Sequence, residues 1–245
     1  MSKRVVQLAL SFKDRLRKDG LPRKKMGRPV GKNPSIRHST RPVHSRAHPM
    51  HVTLRAKRGL PSFRRQTLFA AFEKAFRTTR REDFRIVEYS VQDNHVHLIV
   101  EASDKDALSR GMKSFTVRAN RLFNVAWGRK RGQVWGDRYH RRDLTSPRSV
   151  RNALVYCLNN HRKHTFSTRA KPELDHCSSG AWFEGWVEAP FVESERPTPR
   201  ARSWLLSTGW RKRGRLHLTE RPQSSEATPV SWRVPNAGAR RRSRP

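Results

Sequence analysis

The sequence predicts an α+β fold: a ferredoxin-like split βαβ antiparallel sheet backed by helices, flanked by basic tails expected to be disordered. Three observations predict it. The hydrophobic period switches between two and 3.6 residues in the order strand, helix, strand, strand, helix, strand, helix. Turn and capping residues fall where the period changes. Both ends of the chain are basic and polar, a composition that buries too little apolar surface to offset the entropy of ordering.

Taken in order, residues 1–47 are basic, rich in Pro and Gly and poor in aromatics, and read as an arm. Within it, residues 24–32 place Arg28 between Gly27 and Pro29, which resembles an AT-hook laid in a narrow minor groove. A generic basic tail is the alternative. The globular part spans residues 48–165. His51 to Arg55 alternates and is β-branched, so it is a strand. Ser62 is expected to cap a helix carrying Leu68, Phe72, Ala75 and Phe76 on one face. Phe84 to Val91 is a second strand, Asp93-Asn94 a turn, and Val96 to Val100 a third strand. Ser103 with Asp106 suggests a capping box for a long helix bearing Leu108, Met112, Phe115, Ala119, Leu122 and Phe123. Val134 to Leu144 reads as a fourth strand or extended hairpin. Ser146-Pro147 starts a last helix running to about His164. Residues 166–218 form an appendix with tryptophans at 182, 186, 204 and 210, and 219–245 a basic tail.

Charge narrows the partners. The 245 residues hold 54 Lys and Arg against 20 Asp and Glu, a formal net charge of +34. Such a chain repels itself until a polyanion neutralises it. Nucleic acid is the first candidate, because every phosphate met by a cation releases a condensed counterion; an acidic membrane surface is the other. No apolar run reaches the length of a spanning helix. The basic N-terminus lacks the apolar core of a signal peptide, which points to a cytoplasmic, nucleoid-associated location. Cys157 and Cys177 are the only cysteines, in no CxxC arrangement, so neither a disulfide framework nor a zinc ribbon is suggested.

Two segments carry chemistry. In Asn94-His95-Val96-His97-Leu98-Ile99-Val100, strand alternation turns His95 and His97 to one face, where two neutral imidazoles can share a divalent metal. Two half-exposed histidines on a basic sheet are the plain alternative. On the last helix, Tyr156 and Asn160 lie one turn apart at the edge of an apolar stripe formed by Val150, Ala153, Leu154, Cys157, Leu158 and His161. An edge position aims both across the sheet, Tyr156 as nucleophile and Asn160 as an oxygen ligand. An interfacial Tyr with a capping Asn is the alternative. Tyr139 is a rival nucleophile, His140 a phosphate contact or ligand, and Glu101 reads as a solvated carboxylate. Arg118, Arg121, Lys130, Arg131, Arg138, Arg141 and Arg142 are candidates to line a DNA groove, and the tryptophans could stack on unpaired bases or pack as core.

The Asn-His-Val-His-Leu-Ile-Val strand, a long helix, Val134-Trp135-Gly136-Asp137-Arg138-Tyr139, and Tyr156 followed four residues later by Asn160 together resemble the single-tyrosine HUH transposases, the REP-associated tyrosine transposases above all. A weaker likeness extends over Ser178 to Trp186. The resemblance implies an HUH endonuclease fold in which His95, His97 and Asn160 hold Mg²⁺ or Mn²⁺. Tyr156 then attacks a phosphodiester of single-stranded or hairpin DNA, leaving a 5′-phosphotyrosine and a free 3′-OH, and the reversal rejoins DNA. Gln92-Asp93 stands where these relatives usually carry Met-Pro, and His161 where Pro usually follows the helix Asn, so the helix is expected to continue past Asn160. Two other readings remain: a non-catalytic binder of structured DNA or RNA, and a metal-dependent phosphodiesterase that uses water. The oligomeric state stays open between monomer and homodimer.

Overall fold

The computed structural model describes residues 44–164, 173–188 and 194–222. The AT-hook-like segment with Arg28, most of the N-terminal arm and most of the C-terminal tail lie outside them.

The described part opens with β1 (Met50–Arg55), α1 (Gln66–Thr78), β2 (Phe84–Val91), β3 (His95–Ala102), α2 (Lys105–Ala126), β4 (His140–Asp143) and α3 (Pro147–Leu158). The four strands form one sheet in the order β2-β3-β1-β4, every neighbouring pair antiparallel. This is the split βαβ plan, and the α+β expectation holds.

Alternation divides the sheet's two faces. Met50, Val52 and Leu54 of β1, Val96, Leu98 and Val100 of β3, and Ile86, Tyr89 and Val91 of β2 are buried together under α1 and α2. Those helices contribute Leu68, Phe72, Ala75 and Phe76, and Leu108, Met112, Phe115, Ala119 and Phe123. The opposite face carries the histidines and is partly roofed by α3. A β-bulge between Ile86 and Glu88 leaves Val87 without a partner opposite β3 and sends it into the α3 core beside Ile99.

Several boundaries differ from expectation. Ser62 does not cap α1: the helix starts after Arg65, and the Ser62 hydroxyl instead accepts from Arg64 N–H and donates to Asp93. For α2 the cap is Asp104, whose carboxylate accepts from the N–H groups of Asp106 and Ala107, while Ser103 donates to Asp104. The fourth strand is shorter than expected, because Trp135 makes only an isolated bridge to Ala56 before the chain turns. Ser146 caps α3 as expected, in a reciprocal box with Ser149 and with Pro147 at the first helical position. The α-helix stops at Leu158 without a proline. Asn159 ends it by donating its side-chain amide to the carbonyls of His217 and Glu220, and Asn160 begins a 3₁₀ turn.

The Trp-rich appendix is core rather than ornament. Phe183, Trp186, Leu205, Leu206, Trp210, Leu216 and Leu218 pack with Val150, Leu154 and Leu158 of α3. The segment around Ser178 also covers the β2 edge: Val91 N–H donates to Cys177 C=O, and Tyr89 N–H to the Ser179 hydroxyl. An edge so covered offers no ladder to another chain. Trp186 is buried and its indole N–H donates to Gly180 C=O at 2.8 Å, whereas Trp204 is 53 % exposed with Lys212 over its ring. Trp186→Ala is expected to cost about 3–5 kcal/mol, as truncations of large buried aromatics do. Equilibrium urea unfolding measures it, and a cost below about 1 kcal/mol would make the appendix dispensable.

Candidate active site

The site forms where β1, β3 and α3 meet. In β3 the alternation that buries Val96 and Leu98 under α2 forces His95 and His97 to the other face. His95 is half-buried and His97 only 3 % exposed; their ring centroids lie 4.6 Å apart. The roofing helix brings Tyr156 with it: its ring centroid is 5.1 Å from that of His97, edge to face. Burial of Val155 and Cys157 on either side holds Tyr156 in this orientation, and the buried Cys157 thiol reaches toward His97 C=O at 3.9 Å. All three residues come from one chain. Asn160, one helical turn past Tyr156, is buried, and its Oδ1 has no hydrogen-bond partner among the described residues.

One member was not read from the sequence. His51, on β1, lies with Nε2 at 3.2 Å from His97 Nδ1, and its ring centroid is 5.2 Å from His97 and 5.5 Å from Tyr156. Thr53 Oγ1 is also 3.2 Å from His97 Nδ1. With His97 Nδ1 engaged on this side, its Nε2 is the nitrogen suited to a ligand, since the hydrogen bond of one ring nitrogen sets the role of the other. His95 follows the same logic, Nδ1 lying 2.8 Å from Asn94 Oδ1. The available sequence signal was the alternation of Met50-His51-Val52-Thr53, which places His51 and Thr53 on one face.

Burial, with help from the Arg142 charge, pushes the His51 pKa down from 6.5 to about 4. The unfolded chain therefore takes up a proton near pH 6.5 that the folded chain refuses until about pH 4. This group contributes nothing to pH dependence above that window and destabilises the fold progressively as pH falls through it. His51→Gln should flatten the decline of melting temperature between about pH 6.5 and 4 relative to the parent; parallel curves would contradict this.

The donor set fits a hard or borderline divalent cation. His95, His97 and the buried, unsatisfied amide oxygen of Asn160 are donor types that would suit Mg²⁺ or Mn²⁺. Among the described residues no three His, Cys, Asp or Glu side chains gather as a ligand set.

The other candidates separate clearly. Arg118 and Arg121 ride on α2, across the sheet from the histidines, and Arg118 is tied to Thr78 C=O at the end of α1. Lys130 and Arg131 stand exposed on the turn after α2, and Arg138 is exposed before β4. Arg141 faces the α1–α2 side, paired with Asp143 at 3.1 Å. Tyr139 packs against the α1–α2 core rather than beside the histidines. His140 and Arg142 do share the histidine face, opposite Thr53 and His51 in register. Glu101 is not solvated: it is buried near Arg85 and accepts from the N–H groups of Arg202 and Ser203.

Against known proteins, residues 45–160 match the family model described as Transposase IS200 like. A search of curated proteins gave no match. Among solved structures the chain is similar to a REP-associated tyrosine transposase bound to a REP hairpin, with 18 % identity, 54 % of this chain and 76 % of that chain covered, and a TM-score of 0.43. The matched segment begins just before β1 and ends at Asn160, so the similarity to IS200-like transposases spans both histidines and Tyr156.

Proposed function

We propose that the protein cleaves and rejoins single-stranded DNA at a hairpin or other folded strand through a 5′-phosphotyrosine intermediate, in the cytoplasm on nucleoid DNA. The observation that carries this reading is the placement of the Tyr156 ring 5.1 Å from the His97 ring. His95, His97 and Asn160 would hold Mg²⁺ or Mn²⁺. Bound there, the cation supplies Lewis-acid polarisation of the scissile phosphate and offsets charge developing on it.

The chain's own groups do the rest. Tyr156 Oη attacks phosphorus and forms a phosphotyrosine bond as the bond from phosphorus to the 3′-oxygen breaks. The phenol proton ends on that oxygen through solvent, giving a 3′-OH. Attack by this or another 3′-OH reverses the exchange. No nucleotide is consumed, because one phosphodiester replaces another. His51 and Thr53 keep the His97 ring oriented throughout.

The test is incubation of the full chain with a panel of hairpin oligonucleotides bearing single-stranded flanks, with Mn²⁺ or with chelator, followed by a denaturing gel. A chelator-sensitive covalent adduct is expected. Tight hairpin binding without adduct or cleavage would favour the non-catalytic binder. Cleavage without adduct would favour a phosphodiesterase using water.

A further inference from the structure

The histidine face is closed on one half and open on the other. Every β2 residue, and every β3 residue after His95, is buried, roofed on this face by α3 and the appendix. On β1 and β4 the residues turned to the same face are His51, Thr53, Arg55, His140 and Arg142. Of these His51, Thr53 and His140 are half-buried, Arg55 and Arg142 are exposed, and no carboxylate stands among them. Asp143, the acid of β4, turns to the other face with Arg141. Arg55 pairs in register with His95, and Arg142 with His51, so the two guanidiniums bracket the histidines. Arg55 lies four residue steps along β1 from His51, about 13 Å at the rise of an extended strand.

We propose that this open half of the sheet, β1 with β4, is the track along which a single DNA strand reaches Tyr156, with phosphates on the two sides of the cut held by Arg55 and Arg142. The proposal rests on the nucleolytic reading for the identity of the strand. A backbone that must place one phosphate beside His97 and Tyr156 finds α3 in the way on β2 and β3. On β1 and β4 the described residues turned to this face are basic or polar, with Arg55 and Arg142 exposed. Phosphate contacts of this kind position a strand without reading its sequence. Arg55 thereby becomes a DNA contact that charge runs alone did not single out, and Arg121, on the far layer, does not belong to the track.

Binding measured in the full-length Tyr156→Phe chain separates this proposal from the chemistry. A fluorescein-labelled hairpin with a single-stranded flank is titrated across a salt series. Arg55→Gln and Arg142→Gln should each reduce the slope of log K against log salt by about 0.7, and the double variant by about 1.4, the counterion release expected for single strands. Arg142→Lys, which keeps the charge, should keep the slope. Arg121→Gln should leave it unchanged. Unaltered slopes in the Arg55 and Arg142 variants would overturn the track, as would an equal drop for Arg121→Gln. Melting temperatures confirm that each variant is folded. Adduct formation by the chain with Tyr156 intact is scored independently, so failure of the track and failure of the nucleophile are told apart.

Discussion

Tyr156→Phe is expected to abolish covalent attachment to a single-stranded oligonucleotide while leaving hairpin binding nearly unchanged. The substitution removes one oxygen from a half-buried ring whose packing against His97 and His51 is edge to face and survives in Phe. Fold and surface charge are preserved, so the electrostatic contribution to binding remains. The chemistry has no second phenol to turn to: Tyr139 packs on the opposite core and Tyr89 is buried under α1 and α2. Denaturing gels report the adduct and fluorescence anisotropy the binding. An adduct that persists in the Phe variant would refute the assignment.

His97→Ala is expected to abolish cleavage and weaken Mn²⁺ binding. The loss should exceed the roughly 10- to 100-fold that removal of an outer-shell partner costs, because a ligand itself is lost. His51→Ala, which removes the contacts to His97 Nδ1 and the Tyr156 ring but no proposed ligand, should fall within that 10- to 100-fold range. Titration of Mn²⁺ followed by electron paramagnetic resonance measures both without requiring turnover. Because His97 is buried, its replacement also leaves a cavity, and a melting curve separates unfolding from loss of metal. Equal Mn²⁺ affinity in a folded His97→Ala chain would remove the histidine pair from the metal site.

Much of this arrangement was legible in the amino acids because its signals are local. The period of two in the histidine strand fixed the common face of His95 and His97, and the Ser146-Pro147 start fixed the phase of the helix bearing Tyr156. What escaped depends on contacts between distant segments. That His51 lies on His97 follows from the register of β1 against β3, which no local pattern contains. The end of α3 at Leu158 follows from Asn159 reaching carbonyls near the far end of the described chain, so no proline was required. Glu101 looked solvated because its acceptors' partners, the N–H groups of Arg202 and Ser203, come from the appendix. Arg118 and Arg121 were grouped with a DNA groove by charge, but the apolar face of α2 turns that helix toward the other side of the sheet.

The Tyr156 phenol oxygen is expected to carry the DNA. Cleavage by trypsin after Arg151 and Arg162 would release Tyr156 in the segment 152–162, and cleavage after Arg138 and Arg141 would release Tyr139 in the segment 139–141. Mass spectrometry of the nuclease-trimmed, trypsin-digested adduct should find the nucleotide on 152–162, at Tyr156. A nucleotide carried instead by 139–141, or by a peptide without tyrosine, would contradict it.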